Sequence, residues 1–403
     1  MSQSFLTPTI ITRNALKSFV NSMVFAKGAN RQYDKQFAST GASPSGKIGP
    51  TLTIRKPNKF TVNTGAALNV GDVTEASTTF TVSTRKHVDF SFPTQDLTLT
   101  IDDWMERYGN RAVERLANEV DYDGLTEYKN IANATGTAGS APGAINVWLG
   151  ASQVIKEFAV PVDGKKYAVI NPAAEASTVS NLAALFHSGS ALSRQYESGE
   201  MGTALGMTFK MSQNVNAHTC GTRVASATWT VSGTQTEAAT TLVCSAGSGQ
   251  TVTVGDTFTI AGIYSVNPLS HQNNGSLQRF VCTSAVTASG TDATLYIWPS
   301  LTTTGINQTI SSLPVTTGAI TFLGTASTSY PQNMLYHQDA FSLVTCDLEM
   351  PRGVDFSARE NYEGISLRVV RQYSIDSDQM PCRIDLLYGW KTLYPEWAIR
   401  VTG

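Results

Sequence analysis

Hydrophobic and polar positions follow two periods along this chain, and the changes between them predict its elements. Near the start, apolar residues from Leu16 to Val24 recur at helical spacing, which predicts an amphipathic helix from Thr12 to about Lys27 with Thr12 as its N-cap. From Pro50 to Phe92 the pattern changes to alternation, which predicts a long two-stranded excursion with a polar tip. Because an isolated hairpin is marginally stable in water, we expect this excursion to lie on a partner molecule.

Helical spacing returns from Ile101 to Ile131, with Thr100 as the N-cap. Gly109 and Gly124 are weak points where this long helix can bend or stop. The other elements predicted from periodicity are helices at Ala144 to Phe158 and Ala173 to Phe186, a buried strand at Tyr167 to Ile170, and closing strands at Ile365 to Val370, Cys382 to Tyr388 and Trp397 to Val401.

The stretch from Thr222 to Pro331 is almost uncharged. It consists of short alternating runs of Thr, Ser, Gly, Val and Ala separated by glycine turns, which predicts an all-β module. Both flanks carry helix patterns and neither resembles a finished domain, so the module is interpreted as an insertion into another domain. Its only Asp, Glu, Lys or Arg residues are Arg223, Glu237, Asp256, Arg279 and Asp292.

Composition limits the classes of function. The chain has 403 residues and a formal net charge of -2, which excludes a polycation that coats nucleic acid. Its five cysteines are an odd number and widely spaced, which favours reduced thiols in a cytoplasmic setting. A basic n-region with an apolar core is missing at the N-terminus, and no apolar run has the length of a membrane span, so we expect a soluble protein without a standard secretion signal.

Candidate chemistry is sparse. Gly41 to Ile48 nearly matches a P-loop, but Ile48 replaces the hydroxyl that binds magnesium and Gly49-Pro50 prevents the helix that should follow. His218 and Cys220 have metal-ligand spacing without a second pair, which favours a structural role. The pairs Asp121/Asp123 and Asp376/Asp378 are more typical of helix or turn residues than of paired catalytic carboxylates. We therefore expect no enzyme, no cofactor and no metal.

Positive charge is concentrated on the arms of the excursion and at their base. One interpretation is a solvated strand face; the other is docking against an acidic patch of a neighbouring subunit, which like-signed charge on a protruding arm would steer. The residues concerned are Lys47, Arg55, Lys56, Lys59, Arg85, Lys86 and His87.

The order of these parts resembles the major capsid proteins of tailed double-stranded DNA bacteriophages, which have the α+β Hong Kong 97 fold. More narrowly, the chain is similar to the podovirus coat-protein family, whose axial domain carries an inserted β-barrel called the I-domain. The segments that carry the resemblance are Val20 to Phe25, Asn30 to Phe37, Gly255 to Pro268 and Tyr388 to Val401.

The resemblance implies five regions. They are an N-arm (1–49), an extended E-loop with its arms (50–93), a peripheral P-domain with the spine helix (94–143, with parts of 340–365), a discontinuous axial A-domain (144–221 and 332–403) and the I-domain (222–331). The inter-subunit contacts expected at segment level are Arg55, Lys56, Lys59, Arg85, Lys86, Trp104, Arg107 and Arg111. For the last two, a solvated helix face is the alternative interpretation.

Assembly is the function that the resemblance implies. Copies of the chain would form hexamers and pentamers around a scaffolding protein in the bacterial cytoplasm, and the virion shell would enclose double-stranded DNA packaged through a portal. Covalent crosslinking is not supported, since Lys56, Lys59 and Asn63 are ordinary residues for a hairpin arm. The sparse charges of the insertion favour a stabilising role in folding over salt-bridged contacts.

Two other classes of function remain as alternatives. In a carbohydrate-binding or surface-binding phage protein, the Ser/Thr-rich module would stack sugars on its aromatic residues, but these are few and widely spaced: Trp229, Tyr264, Tyr296 and Trp298. A hydrolytic enzyme would need a site assembled from distant residues, because no Gly-x-Ser-x-Gly motif is present.

Overall fold

The computed structural model of the protein describes residues 8–33, 49–60, 65–66, 75–93, 109–182, 201–223, 228–289 and 292–403. It divides into two compact units, each built from interleaved parts of the chain. The first comprises Met1–Lys56, Glu75–Gly124 and Phe341–Leu393, and the second comprises Pro57–Thr74, Leu125–Ala340 and Tyr394–Gly403. These units divide the chain at other places than the five predicted regions, whose boundaries stay a prediction.

The helices within the described residues are α1 (Pro8–Ser22), α2 (Asn110–Leu125), α3 (Ile145–Glu157) and α4 (Pro172–Leu182), with short 3-10 turns at Ala26–Gly28, Thr126–Asn130, Gln338–Ala340 and Pro395–Trp397. Helix α3 confirms its prediction to within one residue at each end. None of the helices in these ranges is long and apolar enough to cross a membrane.

The strands in the described ranges are β1 (Thr51–Arg55), β2 (Ser77–Thr81), β3 (Thr84–Pro93), β4 (Ala134–Thr135), β5 (Lys166–Ile170), β6 (Thr203–Ala204), β7 (Met207–Met211), β8 (Ala217–Thr219), β9 (Thr230–Val231), β10 (Ala239–Ser245), β11 (Thr251–Val252), β12 (Thr257–Val266), β13 (Asn273–Cys282), β14 (Val286–Thr287), β15 (Asp292–Leu301), β16 (Ile320–Phe322), β17 (Ser329–His337), β18 (Phe341–Cys346), β19 (Phe356–Tyr362), β20 (Ile365–Arg371), β21 (Gln379–Thr392) and β22 (Ala398–Thr402). Strands β1 and β2 pair antiparallel, which confirms the two arms of the predicted excursion.

The first unit packs helices on one face of an antiparallel sheet. Strand β21 is its longest strand and pairs with β3 along one edge and with β18 and β20 along the other, while β19 pairs with β20. Apolar residues of α1 and α2 bury themselves against the sheet because each helix has a single apolar stripe. The core includes Leu16, Phe19, Val113, Leu116, Val120, Leu367, Ile384 and Leu386.

Helix α1 differs from its prediction at both ends. It begins at Pro8, so Thr12 is a buried residue inside the helix and the prediction of Thr12 as N-cap was wrong. It stops at Ser22, although the apolar period continues to Val24. The reason lies far away in sequence, because the Asp121 carboxylate of α2 accepts hydrogen bonds from three successive amides of the turn that follows α1.

Helix α2 is the described part of the long predicted helix, and it ends beside the predicted weak point Gly124. A Cβ atom at Gly124 would lie 2.6 Å from the Trp390 ring and 2.8 Å from the Phe25 ring. The glycine therefore permits a close approach of these aromatic side chains to the helix. The residues before Gly109, including the predicted N-cap Thr100, lie outside the described residues.

The second unit contains a mixed sheet in the order β4-β22-β17-β5-β7-β6, and β8 pairs with the first half of β17. Helix α3 lies on this sheet through Trp148, Ala151 and Ile155, which pack against Leu335, Ile399 and other buried residues. Of the three predicted closing strands, only the last belongs to this sheet; the other two are β20 and β21 of the first unit.

The nearly uncharged insertion is a β-barrel, which confirms the predicted all-β module. Its strands follow the order β16-β12-β13-β15-β10-β9. A bridge between Thr230 and Ala319 and a hydrogen bond of 2.9 Å from the Ile320 amide to the Trp229 carbonyl join the two ends of that order. Closure removes free sheet edges, and the interior is filled by Leu242, Phe258, Phe280, Leu295 and their neighbours.

Candidate assembly surface and insertion junction

The predicted contact residues on the excursion project from strand β1 and the segment after it. Arg55 is 79% exposed and lies 3.1 Å from Glu75 across the hairpin. Lys59 is exposed, Lys56 is half-buried, and the neighbouring Phe60 ring is 74% exposed. This arm therefore presents positive charge and a large apolar ring to solvent.

Arg85 and Lys86 behave differently, because the structure binds both within the first unit. Arg85 donates from Nη2 to the Asp385 carboxylate at 2.6 Å. Lys86 Nζ lies 2.9 Å from Glu119 and 3.1 Å from Asp123 on helix α2. Both residues thus hold strand β3 in place, which leaves less of their charge for a neighbouring subunit.

The predicted contacts on the long helix are only partly described. Arg111 is 83% exposed and lies 3.7 Å from Glu114, one helical turn away, so it sits on a solvated helix face in this chain. Trp104 and Arg107 lie outside the described residues, as does the P-loop-like segment from Gly41 to Ile48.

Asp385 is a buried carboxylate that sequence reasoning missed. Arg368 donates to it from both Nε and Nη2, Arg85 donates from Nη2, and Arg383 Nε lies 3.3 Å away. Burial raises the pKa of this carboxyl, but the hydrogen bonds from Arg368 and Arg85 outweigh it and hold the pKa below its usual value. Only the pairing of three strands brings these residues together.

His218 and Cys220, which have metal-ligand spacing in the sequence, meet Asp256 at the junction of the insertion with its host. The three side chains are buried, and their ligand atoms lie within 4.8 Å of one another. His218 Nε2 donates to Asp256 Oδ1 at 3.0 Å, because a carboxylate can only accept. The other ring nitrogen, Nδ1, is hydrogen-bonded to the Tyr128 hydroxyl at 3.1 Å.

The Asp256 carboxylate already has four hydrogen-bond donors. Besides His218, it accepts from the Gly221 amide at 3.2 Å, the Thr253 amide at 2.9 Å and Arg223 Nη1 at 2.9 Å. Burial raises the pKa of this carboxyl, but the bond from His218 and the charge of Arg223 keep it below its usual value. Asp256 and Arg223 therefore form a buried ion pair at the junction.

Arg400 of strand β22 completes the junction. Its side chain is buried, donates from Nη1 to the Gly255 carbonyl at 2.8 Å and stands 5.7 Å from the centre of the Tyr128 ring. Nε and Nη2 have no acceptor among the described residues. Burial lowers the pKa of this guanidinium to about 10, so it remains charged at neutral pH.

The other candidate residues have structural positions. Asp121 binds the turn after α1, Asp123 accepts from the Tyr388 hydroxyl, and Asp378 accepts from Tyr373. Among the aromatic residues considered for sugar stacking, Trp229 is buried in the barrel core, Trp298 is half-buried, and Tyr264 and Tyr296 are part-exposed. All five cysteines are free thiols.

The chain matches the model of one known protein family. The model of the P22 coat protein family, described as P22 coat protein, gene protein 5, matches residues 1–403. A search of curated proteins found no match.

Solved structures that resemble the chain include two from phages and one coat-protein domain. A structure from Mycobacterium phage Che8 is 14% identical, with 94% of this chain and 90% of that chain covered and a TM-score of 0.47. The capsid structure of the cyanophage P-SCSP1u is 10% identical, with 88% and 83% covered and a TM-score of 0.44. The CUS-3 coat protein I-domain is 26% identical over 24% of this chain and 96% of its own length, with a TM-score of 0.19.

The family model spans every part of the chain, including the inserted barrel, and the described elements are mixed helix and sheet. The chain therefore belongs to the P22 coat protein family and has the α+β Hong Kong 97-type capsid fold with an inserted β-barrel.

Proposed function

We propose that the chain is the major capsid protein of a tailed phage, and that its excursion binds a neighbouring copy during shell assembly. The observation that supports this most is the exposed arm around Arg55, Lys56, Lys59 and Phe60. The base of the arm is buried on its own chain through Ile54, Phe80 and Val82, but the Phe60 ring stays exposed. A neighbouring subunit would cover the ring and neutralise the charge.

The shell would be built from hexamers and pentamers around a scaffolding protein, within the host cytoplasm, and would enclose double-stranded DNA that enters through a portal. Contacts with DNA would be independent of sequence, since the net charge of the whole chain is -2. The role is structural, with no catalysis and no cofactor.

The test is charge reversal on the arm. The double variant Arg55→Glu/Lys56→Glu should give a folded monomer by circular dichroism, but fewer closed shells by sedimentation and electron microscopy when mixed with the scaffolding protein of the same phage. The matched control reverses two exposed cations outside the arm, Lys165→Glu/Arg352→Glu, and should assemble normally. Normal shells from the arm variant would refute the proposal for the arm.

We propose in addition that the barrel stabilises the domain that hosts it. Supporting this, the barrel has its own large core and is held to the host by buried charges at the junction. Replacing residues 222–331 with a short linker should reduce the yield of soluble, refoldable chain. An unchanged yield would count against this role.

A further inference from the structure

The connection between the barrel and its host consists of two segments that run side by side. The Cys220 amide donates to the Thr328 carbonyl at 3.1 Å, and the Ser327 amide donates to the Gly221 carbonyl at 3.2 Å. Two adjacent segments form a hinge line rather than a rigid support, because they leave rotation about the line unopposed. Contacts away from this line must therefore fix the orientation of the barrel.

We infer that the turn from Thr253 to Asp256 is a latch that fixes the barrel on its host, and that the charge balance of the buried cluster around Asp256 holds the latch closed. The turn belongs to the barrel, between β11 and β12. Its direct partners from the host are His218, which bonds to the Asp256 carboxylate, and Arg400, which donates to the Gly255 carbonyl. Tyr128 supports His218 from the host side. Through these contacts the barrel would stabilise its host. The inference therefore deepens the proposal that the barrel has a stabilising role, and it rests on that proposal.

The fit of the turn is steric as well as electrostatic. Gly255 has a φ of +95°, and a Cβ atom there would lie 3.2 Å from Lys129 Cγ and 3.3 Å from His218 Cε1. The backbone of the turn thus packs directly against the host. Gly262, in the same barrel, has a φ of +79° but open space around the position of a Cβ atom. An alanine at either glycine would cause backbone strain, but only an alanine at Gly255 would also disturb the contact with the host. Comparing the two variants therefore separates the cost of strain from the cost of the lost contact.

The cluster contains two buried positive charges, Arg223 and Arg400, and one negative charge, Asp256. His218 links Asp256 to Tyr128 by hydrogen bonds. Loss of the Asp256 charge leaves two arginines uncompensated in a buried site, which is costly. Loss of the Arg400 charge removes the surplus, because the Arg223–Asp256 pair that remains is balanced.

A second contact between barrel and host is weaker. The Asn267 side chain donates to the Glu157 carbonyl at the end of helix α3 at 3.1 Å. The Glu157 carboxylate also attracts Arg279 of the barrel. A neutral hydrogen bond and this longer-range attraction contribute less than a buried charge cluster with direct hydrogen bonds. The orientation of the barrel therefore depends mainly on the latch.

The test uses trypsin, because Arg223 lies in the connecting segment and its side chain is only 8% exposed. Cleavage after Arg223 in the full-length chain reports the opening of the junction. For Asp256→Asn we expect cleavage to be faster by about 100-fold or more. Asp292→Asn, at an exposed position of the same barrel, should leave the cleavage rate unchanged.

The variant Arg400→Met separates charge balance from simple contact loss. In the Asp256→Asn background it should slow the cleavage again, because one of the two uncompensated charges is gone. If the double variant is cleaved as fast as Asp256→Asn or faster, the charge-balance inference is overturned. If Asp256→Asn does not fold, Gly255→Ala against Gly262→Ala gives the same comparison without a charge change, and equal cleavage rates in these two would refute the latch.

The outcomes also separate this inference from the stabilising role of the barrel. If removal of the barrel lowers the soluble yield while Asp256→Asn is cleaved like the unmodified chain, the latch is wrong and the role stands. If barrel removal is harmless but Asp256→Asn opens the junction, the barrel does not stabilise its host. The latch then only fixes the orientation of the barrel.

Discussion

Replacing Asp121 with asparagine should destabilise the first unit. The Asp121 carboxylate is 2% exposed and accepts hydrogen bonds from the amides of Val24, Phe25 and Ala26, the last two at 3.1 Å and 3.0 Å. These amides lie at the start of the 3-10 turn at Ala26–Gly28, so the carboxylate supplies both the acceptors and the negative charge that a helix N-terminus favours.

The size of the effect follows from the number of bonds lost. A hydrogen bond to a charged group contributes about 1.5–3 kcal/mol. Asn at this position keeps one acceptor oxygen, loses the charge and turns an NH2 group towards the amides. We expect the free energy of unfolding to fall by about 2–4 kcal/mol.

Urea unfolding of the unassembled chain, followed by far-UV circular dichroism and tryptophan fluorescence, measures this change. Trp390 donates to the Val120 carbonyl and packs 5.1 Å from the Phe25 ring, so it reports on the same region. Glu114→Gln on the exposed face of helix α2 is the control and should change the free energy by less than about 0.5 kcal/mol. A loss below about 1 kcal/mol for Asp121→Asn would show that the carboxylate does not determine where helix α1 ends.

Two more predictions concern the first unit. The folded-state pKa of Asp385 is below its usual value, so its contribution to stability is present above about pH 4 and is lost as the pH falls through the folded pKa; acid unfolding of Asp385→Asn should lack this component, and an unchanged pH profile would exclude Asp385 as its source. Gly124→Ala should lower the free energy of unfolding by about 1–3 kcal/mol because the new methyl group overlaps the Trp390 and Phe25 rings; Gly150→Ala in helix α3, with open space around it, should be neutral or stabilising, and equal effects in both would refute the packing argument.

The sequence predicted elements well where the period was strong and local. Helix α3 and strands β1 and β5 follow from their own residues, and the scarcity of charge between Thr222 and Pro331 marked the insertion. The end of helix α1 was not predictable in this way. It depends on Asp121, about a hundred residues away, and a tertiary contact of this kind overrides a local apolar period.

The junction between the barrel and its host was also predicted only in part from local sequence. The spacing of His218 and Cys220 pointed to the right place. Asp256 follows Gly255, a pattern typical of a turn, which predicts its backbone but not the bonds of its carboxylate. Arg400 alternates with Ile399 and Val401 in a strand, a pattern that predicts a solvated side chain, yet all five residues of β22 are buried. The insertion has only five charged residues, and any of them that is buried needs a partner. This scarcity of charge was a stronger signal of the junction than the local pattern.

Strand β21 has a consequence for synthesis on the ribosome. The sheet of the first unit needs β21 to join β3, β18 and β20, and β21 is the last of these strands to be translated. That unit therefore cannot form its sheet until synthesis has passed β21. The barrel closes within Trp229 to Phe322, a continuous segment, so it can fold while the final strands are still being translated.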